Sequence, residues 1–450
     1  MLSLVFLSLL LTQGLAQGTW ELHLLDEALY PAARCLDGSM GGFYVSPGDD
    51  QVIMHLQGGG WCTSIEDCIA RGALQRSRRA HVGALARAAG QPPHLHSVPP
   101  HPLPPAATYP VYAGEPSIGS STQWGPGPCT PASHNTTPPC ASDGGSGGLL
   151  SSNPAVNPLF HAATKVWFGY CSGDSFSGDA APFPVNATYT LHFAGKRILE
   201  ATLATLRARH GLAGASAVVL SGCSAGGQAA FFQADHVRGL VRAMNPAARF
   251  VAAPGAGFFL DVAPFQGPNT ADAMYKWVYD TMNISSTVSA ACVAAVAPAD
   301  PSLCFMAPHL LPFIETDLFV ANSLADAAQQ GFVMNLGCAP AAGTCSAAQL
   351  AYLDHFHDEM VGALAPVLNS SRHGAWLVSC SVHMVEDVDG AWASIEVGGV
   401  TQRDAFAAWY SGGAGPQRVV DVPWTQGSGQ HGGNPLCGKY GPVPSPPRLL

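Results

Sequence analysis

Residues 215–241 read ASAVVLSGCSAGGQAAFFQADHVRGLV, and this stretch decides the fold. ASAVVLSGC (215–223) is a short apolar run with paired valines, the composition of a buried strand. QAAFFQADHVRGLV (228–241) reads as a helix. Between them Gly222, Cys223, Ser224, Ala225 and Gly226 spell G-x-S-x-G. In a chain with 50 glycines that match is weak by itself. Its setting gives it weight. A strand that turns sharply into a helix lifts the central hydroxyl above the sheet, and only small residues on either side leave room for the turn. Ser224 is therefore read as a nucleophile rather than one more small residue.

The same rhythm extends in both directions. QVIMHL (51–56), TKVWFGYC (164–171), ARFVAAPGAG (248–257), DLFVANS (317–323) and AWLVSC (375–380) are further strand candidates. LHFAGKRILEATLATLRARHG (191–211) sets Ile198, Leu199, Leu203 and Leu206 at helical spacing and stops at Gly211. AQLAYLDHFHDEMVGALAPVL (348–368) is another helical stretch. Alternating strands and helices predict an α/β fold, with a mostly parallel central sheet flanked by helices. Residues 91–147 break the pattern. They are rich in Pro, Gly, Ser and His and cannot bury a core by themselves. They read as a surface insertion, partly disordered, with Cys129 and Cys140 as staples. His94, His96, His101 and His134 complete no metal-ligand spacing, so no metal is expected there.

The whole chain sets further bounds. Its 450 residues are 47% hydrophobic, enough for a large core, and one elaborated enzyme domain can reach this size. Charged residues are only 11%, the formal net charge is −10, and no basic stripe appears, so nucleic acid is excluded as a partner. The start, MLSLVFLSLLLTQGLAQ, has an apolar run over residues 2–11 and small residues near Gly14 and Ala16. It reads as a secretory signal cut near Ala16, although its first residues lack Lys or Arg. No later run of about 20 apolar residues provides a membrane span. The expected organisation is a signal peptide (1–16), one α/β domain (17–442) carrying the insertion, and a tail (443–450). Thirteen cysteines and the sequons at Asn135, Asn186, Asn283 and Asn369 agree with an extracellular or cell-wall location. Cys62 and Cys68 can close a short loop. The odd count leaves one thiol over, and Cys223 inside the turn is the candidate. The other pairings and the oligomeric state stay open.

A serine hydroxyl needs a base, and the base needs a carboxylate to orient it. In the α/β-hydrolase arrangement these follow in the order Ser, Asp or Glu, His, and site residues lie past the carboxyl ends of strands. DLFVANSLAD places Asp326 just after one strand, and AWLVSCSVHM places His383 just after another. Glu315, Asp317 and His373 precede their strands. His355 and His357, in DHFHDEM, read as an exposed helix face and form no H-E-x-x-H. His431, in a glycine-rich loop, is the main rival to His383. Negative charge developing on the carbonyl oxygen needs aimed N–H donors. HLQGGGWC offers Gly59 and Gly60 just past a strand, to be joined by the N–H of Ala225. Trp61 would flank the site as an apolar wall.

LQGGGWC, GLLSSN with NPLF, KVWFGYCSGDSF, LSGCSAGGQAA, GAGFFLD and SCSVHM, in this order, together resemble the pectin acetylesterase family, which also contains the Notum-type carboxylesterases. The resemblance covers about residues 20–437 apart from the insertion. It implies an α/β-hydrolase-like fold, no cofactor, a Ser-Asp-His triad at Ser224, Asp326 and His383, and an oxyanion loop at residues 58–60. Plant members usually have Glu where Gln57 stands, and His-Cys-Gln where this chain has His383-Met384-Val385. KVWFGYCSGDSF would also line the site, with Asp174 either contacting substrate or bonding structurally. The leading reading is a secreted serine carboxylesterase that removes O-acetyl groups from a cell-wall or matrix polysaccharide. A Notum-like deacylase of an acylated protein, needing a deep apolar pocket, is the second. A non-catalytic binding protein on the same fold is the third.

Overall fold

The apolar runs become the strands of one sheet. The computed structural model describes residues 19–73, 119–122, 124, 147–296, 300–385 and 389–440. Numbered along the chain, the strands are β1 (Glu21–Leu24), β2 (Gly42–Ser46), β3 (Asp49–Leu56), β4 (Ala163–Phe168), β5 (Ala217–Cys223), β6 (Arg249–Gly255), β7 (Phe319–Ser323), β8 (Gly374–Val378) and β9 (Arg418–Val420). Their spatial order is β1-β2-β4-β3-β5-β6-β7-β8-β9. The pairings of β2 with β1 and with β4 are antiparallel, and all the others are parallel. The expected α/β architecture is present.

Every residue of β2, β4, β5, β7 and β8 is buried. Strands covered on both faces need no polar alternation, which is why the runs are continuously apolar. Successive residues still feed opposite layers. Val52, Met54 and Leu56 join one core, with Leu199, Leu203 and Leu206 of the helix Gly195–Arg209. Ile53 joins the other, with Val219, Trp376 and Phe406.

Two expectations change. The single helix at 228–241 is two, Ala225–Phe232 and Ala234–Met244, divided at Gln233. Gln233 is fully buried, and its amide donates to the Phe176 carbonyl at 2.8 Å. The insertion is not wholly a solvated excursion. Ser120 and Ser121 are buried, the Ser121 N–H donates to Ser39 Oγ at 3.0 Å, and Trp124 lies so close over Gly169 that a Cβ there would sit 2.3 Å from its ring. The signal segment, the tail at 443–450 and the rest of the insertion, including Cys129, Cys140, Asn135 and the four histidines, lie outside the described residues.

Among the described residues, five disulfides join Cys35 to Cys171, Cys62 to Cys68, Cys292 to Cys304, Cys338 to Cys345 and Cys380 to Cys437. The local Cys62–Cys68 loop is as expected, and Cys223 is a buried thiol outside these bridges. Among the described residues no helix is long and apolar enough to cross a membrane.

The parallel register aligns the carboxyl ends. Leu56 of β3 lies opposite Gly222 of β5, Cys223 opposite Gly255 of β6, and Ser323 of β7 opposite Val378 of β8. The loops after these strands therefore converge along one edge. Contact there is close enough to require glycine: a Cβ at Gly226 would sit 1.9 Å from the Leu56 carbonyl oxygen. Gly226→Ala is expected to cost on the order of 3 kcal/mol and to lower Tm in thermal denaturation. Gly239→Ala, in a helix where an added Cβ meets nothing within 4 Å, should hold or raise it.

Candidate active site

Ser224 occupies the turn between β5 and the helix Ala225–Phe232, with φ 58° and ψ −123°. That left-handed conformation costs a non-glycine residue about 1–3 kcal/mol. The turn holds it with the Ser224 N–H donating to the Gly255 carbonyl (3.2 Å) and its carbonyl accepting from the Gln228 N–H (2.8 Å). Ser175 (φ 52°), Phe176 (φ 54°) and Ala256 (φ 46°) are strained in the same sense, in the loops that follow β4 and β6. Strain thus gathers along the edge where Ser224 sits, the pattern of functional sites. Ser224 is half-buried between the buried residues Cys223 and Ala225.

The loop after β3 meets this turn. A Cβ at Gly58 would lie 2.9 Å from Ser224 Cβ. Gly59 and Gly60 have φ of 147° and 65°. Their carbonyls are fixed: Arg71 Nη1 donates to the Gly59 oxygen at 2.9 Å, and the Tyr170 hydroxyl donates to the Gly60 oxygen at 2.7 Å. A peptide unit is planar and trans, so its N–H points opposite to its carbonyl. Anchoring the Gly59 oxygen therefore aims the Gly60 N–H away from Arg71. Neither the Gly59 nor the Gly60 N–H donates to another described residue.

Sequence reasoning missed the supports of this loop. Tyr170 is fully buried, and its N–H donates to Gln57 Oε1 at 2.9 Å while its hydroxyl accepts from the Ser175 N–H at 2.9 Å. Burial pushes its phenol far above the usual range, so it stays protonated and can donate to Gly60. The available signal was a tyrosine in the glycine- and serine-rich segment directly after a strand, where a core residue is out of place.

Across the edge, Asp326 follows β7 and caps the helix Ala327–Phe332. Its Oδ1 accepts the N–H groups of Ala328 (2.9 Å) and Gln329 (3.1 Å). His383 Nδ1 lies 2.9 Å from Asp326 Oδ1 and 3.0 Å from Oδ2, and the carboxylate is fully buried. Facing a carboxylate, Nδ1 carries the proton and Nε2 keeps the basic lone pair. Nε2 is covered and has no hydrogen-bond partner among the described residues, Ser224 Oγ included. Catalytic hydrogen bonds of this kind are often long before substrate binds. The histidine loop is itself clamped. The Ala327 N–H donates to the Val382 carbonyl (3.0 Å), and Gln330 Nε2 bonds to Ser381 Oγ (2.9 Å).

The rivals fall elsewhere. His431 is exposed and lies against Gly343. Glu315 and Asp317 pair with Arg238 and Arg372 at the opening of β7. His373 Nδ1 accepts the Leu318 N–H at 3.1 Å. The helix holding His355 and His357 is not exposed on both: His357 is buried and reaches the Asp421 carbonyl at 2.9 Å, because residues two apart face opposite sides.

The two residues assigned to substrate contact differ in placement. Trp61 packs on Phe259, Tyr275 and Phe332 at centroid distances of 5.0, 5.2 and 5.7 Å, with Nε1 donating to Ser175 Oγ at 2.7 Å. Phe259 in turn lies 6.0 Å from the His383 ring. Asp174 corrects the substrate-contact expectation in favour of the structural one. It is fully buried, accepts from Ser172 Oγ (2.5 Å), and its Oδ2 accepts the Gly195 N–H (3.0 Å) at the start of the helix Gly195–Arg209. Burial pushes its pKa up and these donors oppose the rise; no face is left for a ligand.

Behind Phe259, Asp261 accepts from His309 Nε2 at 2.8 Å and neighbours Asp272. Partial burial first, and then the Asp261 charge, push Asp272 from 3.8 up to about 6. A carboxyl held more tightly protonated in the folded state adds stability that is complete below its unfolded value and is lost as pH rises through its folded value. That window runs from about pH 4 to about pH 6. Asn269 Nδ2 donates to Asp272 Oδ2 at 2.6 Å, a bond that an amide at 272 can also accept. Asp272→Asn, a stand-in for the protonated acid, should match the wild-type Tm at pH 4 and exceed it at pH 7.5.

The sequence model of the family described as Pectinacetylesterase matches residues 15–84 and 136–431. Pectin acetylesterase 11 of Arabidopsis thaliana is 26% identical over 383 residues, covering 82% of this chain and 81% of its own. Palmitoleoyl-protein carboxylesterase NOTUM of Mus musculus is 24% identical over 398 residues, covering 86% and 65%. Among solved structures, the Wnt deacylase Notum from Drosophila superposes with a TM-score of 0.66 at 21% identity, over 90% of this chain and 96% of that one, which shows a shared α/β-hydrolase-like fold. With the family model matched over most of its length, the chain belongs to the pectinacetylesterase family.

Proposed function

We propose that the protein is a secreted serine carboxylesterase that removes O-acetyl groups from an acidic cell-wall polysaccharide such as pectin. The observation that carries this reading is His383. Its Nδ1 is locked to a buried carboxylate, and its Nε2, covered but not engaged by any described residue, belongs to a loop on the same sheet edge as the strained Ser224. Nε2 takes the Ser224 proton as Oγ attacks the acetyl carbonyl. The N–H groups of Gly59, Gly60 and Ala225 receive the developing oxyanion. Collapse breaks the ester C–O bond, and the imidazolium gives its proton to the sugar oxygen. Water, deprotonated by the same Nε2, then attacks the acetyl-serine, releasing acetate and restoring Ser224. Asp326 holds the imidazole tautomer and stabilises its charged form throughout.

The names of the Arabidopsis relatives support acetyl as the leaving acyl group, and those of the NOTUM relatives favour a longer one. The aromatic side chains beside His383 favour the short group. Trp61, Phe259 and Tyr275 are all nearly buried, and Trp61 meets both of the other rings edge to face, so bulky side chains crowd the interior next to His383. Five disulfides fit export to an oxidising compartment.

On p-nitrophenyl esters of increasing chain length, kcat/KM should be highest for acetate and fall with length. Ser224→Ala should remove the turnover. Asp326→Asn, which presents the wrong tautomer, should cut kcat by about 10³–10⁴ with little change in KM. A preference for eight-carbon or longer esters would favour the deacylase reading instead. Phe332→Ala, which vacates one side of Trp61, should shift the optimum toward longer acyl groups.

A further inference from the structure

A second feature opens on the same edge of the sheet, at its β1–β4 flank. β1 is antiparallel to β2, and β2 to β4, so the chain leaves both β1 and β4 at the edge where β3 and β5 end. The segments that follow, with the first turn of the helix Gly195–Arg209, enclose a cleft of about 220 Å³. Pro31, Pro182 and Phe193 give it apolar sides, and Arg34, Arg197 and His192 its polar groups. Its size is below that of drug-sized pockets and suits one sugar ring.

Two arginines line the cleft, each paired with one carboxylate, Arg34 with Glu27 and Arg197 with Asp179. The net charge of −10 disfavours a polyanion, so a local cationic site is needed to hold one. Arg34 is built in: Nε donates to the Pro31 carbonyl and Nη1 to the Gly38 carbonyl, each at 2.8 Å, while Nη2 pairs with the exposed Glu27. Arg197 commits only Nε, to Asp179 at 2.6 Å, and neither of its terminal nitrogens bonds to a described residue. That free edge of the guanidinium matches a carboxylate in bidentate geometry. Arg34 also acts on His192, whose pKa is lowered by burial first and by that positive charge second, against the pull of Asp37. His192 is thus a neutral hydrogen-bonding group at pH 7.

We infer that the Arg34–Arg197 cleft binds the carboxylate of a uronic-acid unit in the polymer chain, with Arg197 as the principal contact and the prolines against the sugar's C–H faces. The inference rests on the polysaccharide reading of the catalytic site and names the charge of its substrate. The cleft is tied to that site through the backbone. Asp174 accepts from Gly195, two residues before Arg197, while the Cys62 N–H donates to the Gly173 carbonyl at 3.0 Å beside the oxyanion loop. A polymer lying along the sheet edge would have one unit at Arg197 and an acetylated unit at Ser224.

Calorimetric titration of the full chain with trigalacturonate tests this without requiring turnover. At low salt, Arg197→Gln should weaken binding by about tenfold and Arg197→Glu by more, the loss expected for a charge-assisted bidentate pair. The methyl ester of the same trisaccharide should bind weakly and equally to all three proteins, and kcat on p-nitrophenyl acetate should not change. No trigalacturonate binding by the wild type, equal affinity in all three proteins, or a methyl ester that binds as tightly as the acid would each overturn the inference. Acetate release from acetylated polygalacturonate is read separately. If it is absent from the wild type, the deacetylase reading fails; if it is full while binding ignores Arg197, only the cleft assignment fails.

Discussion

The pairing of Leu56 with Gly222 across β3 and β5 is the contact on which the site depends. Parallel neighbours end together, so the loop after β3 and the turn after β5 must share the same space. They fit because that space is lined by hydrogen atoms. A Cβ at Gly226 would strike the Leu56 carbonyl, one at Gly227 would sit 2.0 Å from the Gly255 oxygen, and one at Gly58 would crowd Ser224. A parallel pairing three steps along the sheet, Ser323 with Val378, likewise brings the aspartate and histidine loops together. Register along one edge therefore assembles residues far apart in the chain.

Around that edge the protein spends buried polar groups on holding backbone in place. Tyr170, Gln57 and Arg71 fix the Gly59–Gly60 turn. Asp174 anchors the loop after β4 to the start of the helix Gly195–Arg209, and Gln329 and Gln330 tie the aspartate helix to its neighbouring loops. Each satisfied donor or acceptor contributes about 1 kcal/mol, but a buried partner left alone costs more. Such a network therefore favours one geometry over many. Rigid support of this kind lets strained residues such as Ser224 and Ala256 persist.

The fold was legible because it obeys local rules. Continuous apolar runs gave the strands, and the small residues around Ser224 declared the turn. Asp326 and His383, which the structure sets side by side, were singled out because each closely follows a strand. What escaped was non-local. Nothing in DHFHDEM tells that His357 turns inward to the Asp421 carbonyl, because that partner is 64 residues away. For Asp174 the sequence left substrate contact and structural bonding undivided; only the helix start brought against it shows its structural use. The break at Gln233 depends on Phe176, which no pattern within the helix reveals. The docking of Ser120 and Trp124 likewise depends on a distant glycine and serine.

The central claim is that Ser224 is a nucleophile activated by the Asp326-held His383. Reaction with a fluorophosphonate, followed by peptide mapping, tests it without choosing a natural substrate. The account predicts one adduct, on Ser224, formed orders of magnitude more slowly in His383→Ala. An adduct on a different residue, or labelling of Ser224 at the same rate without His383, would contradict it.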